Sequence, residues 1–430
     1  MKLGNFYITP MRTKTFKIKE NGNKSVVYKI FCDNVELLPN VDELFELELA
    51  YLEFNSLPKK QILERTAFIK SIGNEYSKHF LLYSNYPKIK NENRSLQAQI
   101  YFEEGKFSTG YATHGLFPYR GKFHPQLIKG LLNILEVGKG ETLLDPMAGS
   151  GTSNIESALM GINSIAVDVS PFCRFIIQVK YESLTIDVEL LEHLPFSANQ
   201  VFTFFNKGKV FERIEKIKNE SKRKIYNLAF LAWLDALGYS KRVVRSNHRQ
   251  LFEKVLLRYI ETIRTTLLNP YFNKNDIGKL NILHSSEALS LELPDESIDC
   301  VITSPPYSFA IDYIENDKEQ LEFLGFDTKQ LKNKLIGLKG KNKIERLSNY
   351  FSDMDGVCAE ISRVLKNGKF FAMIIGSNTN QTGGVRLEQT IINSAKKYNM
   401  HLVRSILKPI KGMRNTMKEE YILIFKKEAL

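Results

Sequence analysis

Two short strings in this sequence carry residues whose types and spacing suit chemistry. The first is Thr303-Ser304-Pro305-Pro306-Tyr307, which follows the apolar run IDCVI. That run reads as a buried strand. Two successive prolines fix φ and remove two backbone donors, so the chain is rigid and its carbonyls can face a cleft. A hydroxyl before them, with the following carbonyl, can accept hydrogen bonds from an exocyclic amino group. An aromatic after them can stack on a planar base. Ser304, Pro305, Pro306 and Tyr307 are therefore the candidate catalytic residues.

The second string is Asp145-Pro146-Met147-Ala148-Gly149-Ser150-Gly151-Thr152. It lies between a short apolar strand, ETLLDPM, and an amphipathic helix, NIESALMG. In open α/β sheets, ligands sit outside the carboxyl ends of strands. Gly149 and Gly151 would let the backbone approach such a ligand without a Cβ clash. A dinucleotide fingerprint needs a third glycine where Asn154 stands, which argues against a nicotinamide or flavin. The next strand, SIAVDVS, ends in Asp168, 17 residues after Gly151. A carboxylate there can accept hydrogen bonds from both hydroxyls of a ribose. Capping a helix at a strand end is its ordinary alternative role.

The elements that must hold these strings follow from the patterning. From Glu141 onward, strand, loop and helix alternate, the signature of a parallel sheet with helices on both faces. KLNILHS, IDCVITS and KFFAMIIGS (369–377) read as further strands, and DGVCAEISRVLKNG as a helix and turn. A helix over 386–398 precedes HLVRSILKPI and EYILIFKK, which pair as an antiparallel hairpin at the sheet edge. Another helix starts near Pro125. Residues 172–275 interrupt the alternation with a helical, basic insert that holds the only tryptophan, Trp233. Residues 1–108 read as a separate mixed layer, with a strand at SVVYKIF (25–31) and a helix over 58–77. The basic segment 329–346 reads as a mobile loop.

Composition narrows the function class. The 430 residues carry a formal net charge of +12, and 201–280 hold 17 Lys/Arg against 7 Asp/Glu. So concentrated an excess points to a polyanionic partner. Arg242, Arg245, His248 and Arg249 are the candidates for phosphate or guanine contacts, with a solvated helix face as the alternative. No run of 18 apolar residues is present, so a membrane span is not expected, and the first residues lack an apolar signal core. Four scattered cysteines without a C-x-x-C pair argue against a zinc site or disulfides and suit a reducing cytoplasm.

DPMAGSGT and TSPPY resemble motifs I and IV of the amino-methyltransferases that act on DNA. THGLFPYRGKFHPQLI resembles that family's motif X, with Phe123 at its aromatic, and Asp168 matches its ribose-binding acid. SFAIDYIENDKEQLEFLG, with LIG at 335–337, is similar to a subset of cytosine-N4 enzymes. The resemblance covers roughly 112–426. It implies a Rossmann-like α/β fold, the class I S-adenosylmethionine-dependent methyltransferase sheet with a C-terminal antiparallel hairpin, plus the helical insert and the N-terminal mixed region. It implies S-adenosylmethionine held by Phe123, Asp145, Met147, Gly149, Gly151, Thr152 and Asp168. The catalytic domain would span 109–171 and 276–430. The insert 172–275 would recognise the target through Arg242, Arg245 and Arg249, and 1–108 would be accessory.

Ser before the two prolines is typical of enzymes that make N4-methylcytosine, whereas Asp is commoner in N6-adenine enzymes. The resemblance thus implies a site-specific methyltransferase acting on a flipped cytosine in double-stranded DNA, in the cytoplasm, alongside a cognate restriction endonuclease. N6-adenine methylation, guanine-N2 methylation of tRNA and a catalytically inactive nucleic-acid-binding subunit are the alternatives. One position departs from the family pattern. Ser285 stands where an acid usually reads the cofactor's adenine, leaving a hydroxyl, a backbone group or Glu287 for that task. Carbon-5 methylation needs a nucleophilic cysteine, normally after proline. No cysteine here follows a proline, and Cys300 reads as core.

Overall fold

The computed structural model describes residues 30–31, 35–38, 41, 43–83, 110–119, 121–242, 247–306, 312–377, 385–410 and 419–429. A small antiparallel sheet joins β1 (Val35–Leu37), β2 (Ile69–Ile72) and β3 (Glu75–Tyr76). The main sheet holds β4 (Thr142–Asp145), β5 (Asn163–Val167), β6 (Leu280–Leu283), β7 (Ile298–Thr303), β8 (Leu365–Ser377), β9 (Met400–Pro409) and β10 (Glu419–Lys427). Its order is β6-β5-β4-β7-β8-β10-β9. The first five strands in that order are parallel, and β10 runs antiparallel between β8 and β9. The expected C-terminal hairpin is present, with β9 at the edge.

Period-two alternation explains why both faces of this sheet are covered. Leu143, Cys300, Ile302, Ala372, Ile374, Ile422 and Ile424 face one core. Leu144, Val301, Phe371, Met373, Leu423 and Phe425 face the other. The second core is closed by the helices Lys343–Val364 and Leu387–Lys397. Asn342 starts the longer of these by accepting the Glu345 N–H with its side chain.

The first core corrects one expectation. The N-terminal residues are not a separate layer, because Leu49, Ala50, Phe68 and Ile69 share it with Leu131 and the sheet. Buried Glu53 fastens the join: Oε1 accepts from Asn133 Nδ2 at 2.6 Å and Ala67 N at 2.8 Å, and Oε2 from Thr66 Oγ1 at 2.6 Å. The helix expected over 58–77 is instead two short turns, Lys59–Gln61 and Ile62–Arg65, followed by the β2–β3 hairpin. Most of the strand expected at 25–31 lies outside the described residues, and its last two, Ile30 and Phe31, are helical.

The insert builds its own aromatic core along the helices Pro171–Glu182, Glu220–Arg242 and His248–Leu267. Trp233 lies in it, with Phe230, His248 and Phe323 around its ring. The segment 329–346 is not simply a loop. It holds the helix Thr328–Lys334, capped by Asp327, and the first turn of Lys343–Val364.

Candidate active site

The sheet reverses its order at β4 and β7, where ligand clefts form in open α/β folds. Asp145 ends β4 and is fully buried. Its Oδ1 accepts hydrogen bonds from Thr303 Oγ1 at 2.8 Å and Met147 N at 3.2 Å. Its Oδ2 accepts from Ser153 Oγ. Burial pushes the Asp145 carboxyl up to about 6. Asp145 does not line the cleft. It ties the end of β4 to the end of β7 and to the first turn of the helix Thr152–Leu159.

Between Asp145 and that helix the chain turns through Gly149 (φ +52°) and Gly151 (φ +74°). A Cβ on Gly151 would stand 2.7 Å from Ile177 Cγ1, so this turn is packed as well as left-handed. The buried Lys180 ammonium donates to the Ser150 carbonyl at 3.0 Å and fixes the turn from behind. Asp168, directly after β5, accepts the Gly149 N–H with Oδ2 and the Ser170 N–H with Oδ1, both at 2.8 Å. Burial raises its carboxyl to about 6 against those two donors.

A cleft of about 980 Å³, its open mouth included, lies over this turn. Phe123, Met147, Gly149, Thr152 and Asp168 line it, together with Ser304 and Pro306. Pro305 is buried behind them. Tyr307 lies outside the described residues. The glycine turn and the double proline, 150 residues apart in sequence by order of magnitude, thus open on one space because β4 and β7 are neighbours.

Of the other lining residues, Ala288 and Leu289 carry no sequence signal, while Tyr119, Lys122, Tyr313, Leu335 and Ile336 stand within the motif-like strings without a role of their own there. Tyr119 and Tyr313 present parallel rings, 6.2 Å between centroids and 12° between planes. Burial pushes the Tyr313 hydroxyl up to about 12, so it stays a neutral donor. Lys122 donates to the His114 carbonyl at 2.9 Å, and burial lowers its ammonium to about 8. Ala288, Leu289, Leu335 and Ile336 supply apolar wall. Ser285 is not brought to the cleft. It is exposed, with its hydroxyl on Glu292 Oε2 at 2.7 Å, and Glu287 lines the cleft in its place.

The basic candidates divide differently. Arg249 is exposed and pairs with Glu253 at 3.3 Å. Arg245 and the Arg242 side chain lie outside the described residues. His248 packs against Trp233, and its Nε2 lies 3.1 Å from the Trp233 carbonyl oxygen, so its ring is part of the insert core. Cys300 is buried in β7 and Cys173 in the helix Pro171–Glu182, and burial raises both thiols well above their ordinary range.

The strand order, with a final strand inserted antiparallel beside the fifth, decides the fold. It is the class I S-adenosylmethionine-dependent methyltransferase fold. The cleft suits the cofactor of that fold on its own evidence. The buried hydroxyls of Ser150 and Thr152 line it without a hydrogen-bond partner among the described residues. Gly149, at positive φ, leaves room for backbone approach, and Asp168 offers a carboxylate beside apolar wall. In this methyltransferase fold a family model, the RMKL-like methyltransferase domain, matches residues 116–324. The chain is 24% identical over 314 residues to the type II methyltransferase M.BsoBI of Geobacillus stearothermophilus, covering 59% of this chain and 62% of that one. It is 30% identical over 153 residues to the type II methyltransferase M.MjaII of Methanocaldococcus jannaschii, covering 33% and 28%. With the type II methyltransferase M.MvaI of Kocuria varians it shares 22% over 400 residues, covering 72% and 87%. The chain therefore spans less than two thirds of the first two relatives.

Proposed function

We propose that this chain methylates the exocyclic N4 of a cytosine flipped out of double-stranded DNA. The observation that carries this reading is the shared cleft: Ser304 and Pro306 face the same space as Asp168 and the glycine turn. S-adenosylmethionine supplies an electrophilic methyl group on a sulfonium. A base inside a duplex cannot enter such a cleft, so it must leave the stack, at a cost of a few kcal/mol. Stacking on Tyr307 and contacts to phosphates offset that cost. The Ser304 hydroxyl and the Pro305 carbonyl accept hydrogen bonds from the amino group. This draws its lone pair out of conjugation and aims it into the cleft. Catalysis is then positioning and electrostatics, with no strong base, because the proton leaves after transfer.

The relatives are named type II methyltransferases, which supports a setting of restriction and modification. A cognate endonuclease reading the same site is part of the proposal. Arg242, Arg245 and Arg249, in the stretch of sequence from the end of the helix Glu220–Arg242 to the start of the helix His248–Leu267, are proposed as target-reading contacts. The cytoplasm is the proposed compartment. Among the described residues no helix is long and apolar enough to cross a membrane. The test is to incubate the purified chain with S-adenosylmethionine and unmethylated DNA, digest to nucleosides and analyse by mass spectrometry. N4-methylcytosine is expected. N6-methyladenine would overturn the choice of base, and methylated nucleosides from RNA alone would overturn the choice of polymer.

A further inference from the structure

The segment 328–346 contains seven Lys/Arg and one acid in 19 residues, a denser excess than the 17 against 7 of 201–280. Its inner side belongs to the cleft: Lys334, Leu335 and Ile336 line it, with Leu335 and Ile336 buried. Three lysines anchor the segment through ion pairs. Lys332 reaches Asp312 at 2.8 Å, Lys334 reaches Glu287 at 2.7 Å, and Lys339 reaches Asp353 at 3.1 Å. The remaining lysines, Lys329, Lys341 and Lys343, are exposed and have no acidic partner among the described residues. Ile344, next to Lys343, is 83% exposed, so this corner does not fold back on the core.

The insert, by contrast, neutralises many of its own cations. Arg258 pairs with Asp235, Arg264 with Glu192 and Lys224 with Glu220, while Arg213 lies over the Phe204 ring. Exposed insert lysines such as Lys207, Lys216 and Lys218 are also without an acidic partner among the described residues, but 328–346 is the basic segment that itself lines the cleft, so its free charge is continuous with the cleft. We propose that this segment is the clamp for the phosphate backbone of duplex DNA beside the flipped base, with Lys329, Lys341 and Lys343 as its contacts. The inference rests on the DNA-methylating reading above. Its partner is identified by charge complementarity and by continuity with the cleft, since a base reaching Ser304 brings its flanking phosphates to this rim.

The test uses the full chain and a fluorescein-labelled, unmethylated duplex of about 20 base pairs, a length chosen to exceed the reach of one phosphate clamp. Binding is followed by anisotropy across a salt series. The variant K329Q/K341Q/K343Q is expected to bind about tenfold more weakly at low salt. Its slope of log K against log salt should fall by up to about 2.7, which is about 0.9 for each lost phosphate contact. Replacing the same three lysines by arginine should restore the slope. A charge-matched control on exposed insert lysines, K207Q/K216Q/K218Q, should change it little. Melting temperature and S-adenosylmethionine affinity should match the parent chain, and turnover at saturating DNA should be retained.

An unchanged slope in a chain that still methylates DNA would overturn the clamp alone. A control that weakens binding as much as the test variant would overturn it too, because the effect would then be net charge. Failure of the parent chain to bind duplex DNA at low salt would also refute it. A parent chain that binds DNA with the expected variant effect, yet leaves no methylated nucleoside, would refute the methylation reading and leave the clamp standing.

Discussion

Thr303 donates its hydroxyl to Asp145 at 2.8 Å, so the residue just before the Ser304-Pro305-Pro306 string is tied to the residue that opens the glycine turn. The bond crosses from β7 to β4 where the sheet reverses order. It sets the distance between the two halves of the cleft.

Replacing Thr303 by Val should leave shape nearly unchanged and remove this tie. A buried acceptor that loses a donor costs about 1–3 kcal/mol. Denaturant unfolding should register that loss. If the tie positions Ser304, kcat should fall further than S-adenosylmethionine affinity, measured calorimetrically. Equal losses in both would make the bond merely structural.

Ser304→Ala should lose about 100-fold in turnover, on the scale of removing one transition-state hydrogen bond, and keep cofactor affinity. Single-turnover methylation with saturating DNA is the measurement. Unchanged turnover would remove Ser304 from the chemistry.

Gly151→Ala meets both a left-handed φ of +74° and Ile177 at 2.7 Å. The two costs together are about 2–4 kcal/mol. Gly140→Ala is the comparison, since its φ is +82° but nothing lies within 4 Å of the added Cβ. It should lose only about 1–2 kcal/mol, the conformational part, and bind cofactor normally. Melting curves for the two variants separate strain from contact.

The raised carboxyls give opposite pH trends for stability and binding. Burial lifts Asp168 and Asp145 from 3.8 to about 6, so the folded chain holds protons that the unfolded chain has released. Their contribution to stability is full below about pH 4 and is lost as pH rises through 6. On the proposal that the Asp168 carboxylate holds the cofactor's ribose, cofactor affinity should weaken below pH 6, by up to about tenfold at pH 5. Calorimetry between pH 5 and 8 checks this, and Asp168→Asn should flatten the profile. A profile that keeps its shape in the variant would assign the titration elsewhere.

The strands that frame the cleft are legible because each is a short apolar run followed closely by Asp or Pro, and burial on both faces leaves few other readings. The β2–β3 hairpin was missed although Gly73-Asn74 marks it as a two-residue turn, with Ile72 paired to Glu75. The helical spacing after Pro58 outweighed that signal. In 328–346 the lysine run hid the Asp327 and Asn342 caps that start its two helices. Ser285 stands at the motif's acidic position by spacing alone, but the chain bends so that Glu287 and Ala288 reach the wall instead. Tyr119 and Tyr313 meet only through the fold, 194 residues apart by their numbers, and no local pattern announces such a pair.

The chain has one tryptophan, and Trp233 sits 4.3 Å from Phe323, centroid to centroid, where the insert meets the segment that follows the double proline. Its emission therefore reports a single place, the seam between the helical insert and the helix Lys318–Phe323. Movement of that seam as a nucleic acid enters should register as a change in tryptophan fluorescence, without a label, on red-edge excitation where the 19 tyrosines absorb little.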